Sequence, residues 1–497
     1  MKKIVLLLAC VFVFSCVDSD DLSTQDYTFY NSTDFNLKIV PDSYNLDEHD
    51  FSFPIKSKET KTISVDDYFG IFEFEPETQT DKVIEYDFQG DTRVIYSFDY
   101  RVKYVISGTS KKAELIIYDV IRPTADKGPR FKVKGYDQEF IKMNSNSYLG
   151  LSLRKDMIET EEAATKKYGV GPGAVRFISG SFDIHRELEK ELAKFHGMEE
   201  GMIFSSAYMT TLGVMVSLIN PETIVVSDAL NHNCIINAMK LGRPKAKYVY
   251  DHLDLDQLKN CLEKAKGKCQ RIIVVTDGIF SMRGDHAPLD KISEICNQYN
   301  ESFKEGVLLM VDDSHGVGAF GATGRGTVEY TNAKGVDVIV GTLGKAFGVN
   351  GGYTVTSKAV VEYLHQKAPT YIYSNPISPG EAATALKALK IVTSEEGKVI
   401  LSHLRDMTKR FKDGLISLGY ETLEGEHPVV PLMVRDTKET SEIVKFLEEK
   451  GVLATGLNFP VVPKGDEEIR FQISGEHTSS DIDYVLSVLE EYKKNPK

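Results

Sequence analysis

One lysine of this chain stands where chemistry would explain it better than solvation does. The stretch Gly341-Thr-Leu-Gly-Lys345-Ala-Phe-Gly-Val-Asn-Gly-Gly352 puts Lys345 in a glycine-rich bend directly after the strand-like run Val336-Asp-Val-Ile-Val340. A lysine at the end of a buried strand is costly unless its amine is neutralised, paired or covalently engaged. Small flanking residues let a planar ligand approach the backbone. A lysine so placed can form a Schiff base with an aldehyde cofactor, for which pyridoxal phosphate is the usual candidate. A surface lysine in a glycine loop has the same letters, so the remaining parts of a pyridoxal site decide the matter.

Those parts are present as polar loops after apolar runs. Val311-Asp312-Asp-Ser-His315 follows a strand-like segment ending near Met310. An acid there can pair with a pyridine nitrogen and make the ring an electron sink, and His315 can hydrogen-bond its phenolic oxygen. Ser227-Asp-Ala-Leu-Asn-His232 follows a second run and offers an imidazole to stack on a ring and later donate a proton. Thr276-Asp-Gly-Ile-Phe-Ser281 ends a third, with Ser281 as a further ring-oxygen partner. Ser205-Ser-Ala207-Tyr208 precedes a helical pattern over 210–218, and small residues at a helix N-terminus make an anion site for a phosphate. Thr342 adds a hydroxyl beside it. Singly, each reads equally well as a loop acid, a turn histidine or an N-cap; five on one scaffold do not.

The elements that must position these residues change character along the chain. From about residue 130, helical periods such as Glu187–Phe195 alternate with short apolar runs at Thr223, Arg271 and Val307. That alternation predicts an α/β large domain over 130–380 with a mostly parallel sheet, and a smaller α+β domain over 381–497. Residues 20–120 instead alternate apolar and polar with many aromatics, which predicts a small all-β domain. Charge breaks at the same place: Val17–Val120 holds 22 Asp/Glu and 10 Lys/Arg, most of the chain's net charge of −14. An acidic chain of 497 residues argues for several domains and against a nucleic-acid partner. Met1-Lys-Lys, an apolar run to Phe14 and Ser15-Cys16 read as a lipoprotein-type signal over 1–16, with Cys16 lipidated and anchoring the chain to a membrane. The other cysteines have neither metal-site nor disulfide spacing, so no metal is expected.

Taken in order, Asn146-Ser-Tyr-Leu-Gly-Leu, Tyr168-Gly-Val-Gly-Pro-Gly-Ala-Val-Arg176, His185-Arg-Glu-Leu-Glu, Ser227–His232, Phe280-Ser-Met, Asp312–His315, Gly341–Lys345 and Ile469-Arg470 resemble the motifs of the α-oxoamine synthases. The resemblance covers roughly the two thirds of the chain after residue 130. It implies a fold-type I pyridoxal-phosphate enzyme resembling glycine C-acetyltransferase and 8-amino-7-oxononanoate synthase, joining a small amino acid to an acyl-CoA. It implies Lys345 as the Schiff-base lysine, Asp312 as the pyridinium partner and His232 as the stacking histidine. His315 and Ser281 would surround the ring oxygen, with Ala207, Tyr208 and Thr342 at the cofactor and its phosphate. Ser374 resembles a phosphate contact supplied across a homodimer interface. Arg470 resembles the group that grips the substrate carboxylate, with Asn146 or Ser147 nearby. The chain departs from the pattern at Ala207, Ser147 and Arg283, at an apparent insertion over 300–306, and in everything before residue 120.

Two further readings remain at this level: another fold-type I enzyme, such as an aminotransferase or aldolase, and a non-catalytic exported lipoprotein on the same scaffold. Gly344 and Ala346, on either side of Lys345, resemble the acetyltransferase and oxononanoate synthase branches more than the serine palmitoyltransferases, which tend to carry Ser at both places, and that resemblance implies glycine or alanine as the amino acid. The signal implies a membrane-anchored lipoprotein, whereas acyl-CoA chemistry implies the cytoplasm.

Overall fold

The computed structural model describes residues 129–133, 136–459 and 462–494 in full and the backbone of six short strands before them. The chain forms two compact units, Met1–Val120 and Ile121–Lys497. In the first unit every described element is a strand. Gln25–Tyr30 pairs antiparallel with Thr60–Val65, and Leu37–Pro41 lies between Phe53–Ile55 and Phe72–Pro76. The signal-like segment and Cys16 lie outside the described residues.

The second unit is built on a seven-stranded sheet: β1 (Glu200–Phe204), β2 (Thr223–Asp228), β3 (Ala246–Tyr250), β4 (Arg271–Asp277), β5 (Val307–Asp312), β6 (Val338–Thr342) and β7 (Gly352–Thr356), in the spatial order β3-β2-β4-β5-β6-β7-β1. The pairs from β3 through β6 are parallel, while β7 runs antiparallel to both β6 and β1. Parallel strands are covered on both faces and read as continuous apolar runs, which is why Thr223, Arg271 and Val307 mark strands in the sequence. Alternate residues divide the core. Val225, Ile273, Val275, Met310 and Val340 pack on one side of the sheet, and Ile224, Val226, Val274, Leu309 and Val311 on the other. Each such side chain contributes about 1.5–3 kcal/mol through burial.

A second sheet contains β8 (Glu421–Thr422), β9 (Val429–Met433), β10 (Thr455–Leu457) and β11 (Glu468–Gln472), ordered β8-β9-β11-β10 and all antiparallel. The helices Glu395–Ser417 and Ser479–Lys494 bury Phe411, Leu415, Val485 and Leu489 in the core cluster that holds Ile469 and Phe471 of β11. Residues 130–143, which sequence texture places with the large domain, hydrogen-bond to this C-terminal part. Glu139–Lys142 pairs with Arg130–Val133 and, in parallel, with Val452–Leu453; the Gln472 amide donates to the Met143 carbonyl at 2.7 Å. Pairing across some 310 residues leaves no trace in local periodicity. Among the described residues no helix is long and apolar enough to cross a membrane.

Candidate active site

Sheet register places the candidate residues along one edge. Asp277 on β4 stands opposite Asp312 on β5, and Asp312 opposite Val340 on β6, two residues before Thr342. Thr342 pairs with Gly352, and Gly352 with Phe204, so Thr342 and the Ser205–Tyr208 turn share the carboxyl edge of the parallel strands. Between β6 and β7 the chain doubles back through Lys345. The Leu343 amide donates to Gly351 at 2.9 Å, and the Gly348 amide to Lys345 at 3.0 Å. At Gly352 a Cβ would lie 2.2 Å from the Ala207 nitrogen, so only glycine lets the helix beginning at Ala207 come this close.

Asp312 is the most heavily braced group. Its Oδ2 accepts from the Thr211 hydroxyl at 3.0 Å and faces the Cys234 thiol at 3.6 Å, and its Oδ1 accepts the Ser314 amide at 3.2 Å and hydroxyl at 2.6 Å. The neighbouring Asp313 turns away and binds the Thr327 amide and hydroxyl, both at 2.6 Å, with burial pushing its pKa up to about 7. Asp277, buried beside Asp312, is raised well above the usual carboxylate range by burial and then by the Asp312 charge. Asp277 Oδ2 accepts the His232 amide at 3.0 Å.

Burial lowers Lys345 to about 8, against the pull of Asp312 and Asp277. About a tenth of its amine is therefore unprotonated and nucleophilic at pH 7, far more than for an ordinary lysine. His232 caps the helix Asn233–Gly242, its Nδ1 accepting the Cys234 amide at 3.2 Å, which leaves the ring proton on Nε2. His315 is held well below its ordinary value by burial and by Lys345, so it is neutral. The Tyr148 hydroxyl lies 2.7 Å from its Nδ1.

The Ala207–Leu218 helix is capped by Ser206, whose hydroxyl accepts the Met209 amide at 3.2 Å. Its first-turn N–H groups lie on the same edge as the Thr342 hydroxyl, the geometry of an anion cradle. Tyr208 is fixed from its hydroxyl, which donates to Asn233 at 3.0 Å and accepts from Asn237 at 2.6 Å; its ring stands edge-on to His232. A nucleophilic amine, a buried carboxylate, a neutral imidazole and an anion cradle on one strand edge fit pyridoxal phosphate.

Arg470 reaches the site from β11. Its Nη1 donates to the Ser281 carbonyl at 2.9 Å, while its buried Nε finds no partner among the described residues. Glu468 and Gln472 lie on the same strand face by alternation. Glu468 Oε1 and both amide atoms of Gln472 are likewise without partners, as are the buried Ser147 hydroxyl and Asn144 Oδ1. Burial raises Glu468 to about 8 against Arg283 and Arg470. Asn146 Oδ1 accepts from Tyr148 at 3.3 Å, beside Ser147. Ser374 lies apart from these groups, in the half-exposed segment after the helix Pro369–Ile372. The sequence reading gave no role to Asp277, Tyr148, Thr211 or Cys234. Asp277 had a legible signal, an acid ending a buried apolar run; the other three depend on contacts remote in sequence.

A family profile described as aminotransferase class I and II matches residues 138–489. The 8-amino-7-oxononanoate synthase of Thermosipho melanesiensis is 40% identical over 72% of this chain and 89% of its own length. The 2-amino-3-ketobutyrate coenzyme A ligase of Escherichia coli is 37% identical over 69% of this chain and 84% of its own. A solved serine palmitoyltransferase with pyridoxal phosphate superposes with a TM-score of 0.70 at 25% identity, covering 76% of this chain and 92% of that one. The chain therefore belongs to the aminotransferase class I and II family and, within it, to the α-oxoamine synthases, which are pyridoxal-phosphate-dependent acyltransferases.

Proposed function

We propose that this protein condenses glycine or alanine with an acyl-CoA, releasing CoA and leaving a β-keto acid able to lose CO2. The observation that carries the reading is Arg470, delivered by the small sheet to the Ser281 carbonyl with its Nε unpaired. A guanidinium so anchored offers a bidentate face to an amino-acid carboxylate. Bound at Lys345, pyridoxal phosphate supplies a protonated ring that draws electron density from the amino acid's Cα. Lys345, with its pKa lowered to about 8, would take the Cα proton, and Asp312 would pair with the cofactor's ring nitrogen. His232 Nε2–H would donate a proton during acyl transfer, and His315 and Ser281 would hold the cofactor's ring oxygen.

The same reading makes the enzyme a homodimer with shared sites. Tyr373, next to Ser374, is 74% exposed, and Phe177 and Ile178 are 64% and 68% exposed, with the Tyr373 and Phe177 rings 6.0 Å apart. An apolar patch of this kind beside a phosphate contact supports a subunit interface. The test is thiol release from a panel of acyl-CoAs with glycine, alanine or serine. Amino-group transfer without CoA release would replace this reading with an aminotransferase. For the dimer, mixing inactive Lys345→Ala and Ser374→Ala subunits should restore part of the activity.

A further inference from the structure

A half-buried histidine outside the constellation above ties three loops together. His252 follows β3, and its Nδ1 lies 3.0 Å from Asp228 Oδ1 at the end of β2. Its Nε2 lies 3.1 Å from Asp285 Oδ2, in the loop after β4. Two carboxylates on the two ring nitrogens require both nitrogens to donate, which only the imidazolium does. Burial alone would lower its pKa, but the hydrogen bonds to Asp228 and Asp285 carry it up to about 9. The ring also stands edge-on to Phe280 with centroids 4.3 Å apart.

The backbone around it is built for this placement. Leu253 has φ +60°, a left-handed conformation unfavourable for leucine, and its amide donates to Asp228 Oδ2 at 3.0 Å. Asp285 also binds Arg283 at 2.9 Å, so charges alternate along Asp228, His252, Asp285 and Arg283. The loop they hold is a tight turn, with the Phe280 amide on Asp285 at 3.0 Å and the Gly284 amide on Phe280 at 2.8 Å. This loop touches both sheets. The Gly278 amide, just before it, donates to the Asp312 carbonyl at 2.8 Å, whereas Gly284 packs so closely on β9 that a Cβ would lie 2.2 Å from the Val429 carbonyl. Its Ser281 carbonyl is the anchor of Arg470.

We propose that His252 is a positioning residue for the condensing site: clamped between Asp228 and Asp285, it fixes the Phe280–Asp285 loop and thereby sets where the Ser281 carbonyl holds Arg470. The inference rests on Arg470 as the carboxylate-binding group. It assigns His252 no contact with substrate; the histidine acts on amino-acid binding through a loop that neither Lys345 nor Asp312 depends on for its own side-chain partners.

The test compares His252→Gln and Asp285→Asn holoenzymes with wild type. Amide exchange at Phe280 and Gly284 should quicken about tenfold or more in either variant. The KM for the amino acid should rise about tenfold with kcat within about threefold, and because Ser281 lies on the same loop the visible absorbance of the bound cofactor should shift with it. Because both variants break one clamp, the double variant should be no worse than the poorer single one. Folded variants with unchanged loop exchange and unchanged KM overturn the proposal, as does a fall in kcat at constant KM. Loop exchange needs no turnover. If wild type condenses none of the amino acids, the substrate reading fails, while exchange still decides whether His252 holds the loop. Should His252→Gln not fold, Asp285→Asn, at a partly exposed side chain, carries the same measurements.

Discussion

Asp312 and Arg470 bring opposite charges to one site from different sheets, and their surroundings differ in kind. Asp312, on a central parallel strand, is met by Thr211, Cys234 and both donors of Ser314. Arg470, on a strand of the small sheet, has the Ser281 carbonyl and the Met282 sulfur as partners, and its strand neighbours Glu468 and Gln472 keep buried polar atoms without partners among the described residues. A carboxylate already surrounded by donors is preorganised before any ligand arrives. Buried polar atoms without partners are costly, and a polar ligand that pairs them regains that cost. The cofactor half is thus built rigid and the substrate half is built to be completed, which suits a site that keeps one group while exchanging another.

The sharpest way to break this contrast is at the lysine. Lys345→Ala should abolish covalent cofactor attachment and lower acyl transfer by about 10³-fold or more, checked by borohydride trapping and thiol release. Retained trapping would move the nucleophile elsewhere. Asp312→Asn should cost about 10²-fold in kcat while cofactor stays bound, because its donors remain but the charge facing the ring nitrogen is gone. On the substrate side the effect should appear in binding. Arg470→Lys keeps the charge but loses the fork, so the amino-acid KM should rise by about tenfold to a hundredfold with kcat little changed. Equal losses in kcat at Asp312 and Arg470 would erase the distinction between the halves.

Smaller effects concern the loop between them. The raised pKa of His252 means that its contribution to stability is whole below about pH 6.5 and declines as pH rises toward and through about 9. Denaturant midpoints across that window should show this slope for wild type, and His252→Gln should flatten it. Least of all, Leu253→Asn should change stability by less than about 1 kcal/mol, because relief of the left-handed backbone is offset by lost packing against the neighbouring core, with no change in turnover.

Much of the cofactor half can be read from the sequence, and the physical reason is locality. Lys345, Asp312 and His232 each follow a buried apolar run within a few residues, and the carboxyl end of such a run is where α/β sheets place their sites. The α/β character of the second unit follows from the same runs. Asp277 obeys the same rule, but an acid adjoining Gly278 also reads as an ordinary turn. The rest depends on distance. Tyr148 meets His315 from 167 residues away, and Thr211 meets Asp312 from 101. The return of residues 130–143 to the C-terminal strands is likewise invisible to periodicity, as is the charge on His252, which two acids from separate strand ends create.

The doubling-back of the chain at Lys345 bears on what each half of the site costs to form. The bend closes over nine residues, from Thr342 to Gly351, whereas the Ser281 carbonyl waits for an arginine 189 residues further along the chain. Short loops close at a smaller entropic cost than long ones. Closure of the lysine hairpin thus costs little chain entropy, whereas the substrate arginine is recruited at a larger cost that folding of the whole second unit must offset, since Leu343 and Phe347 share one core with Ile469 and Phe471.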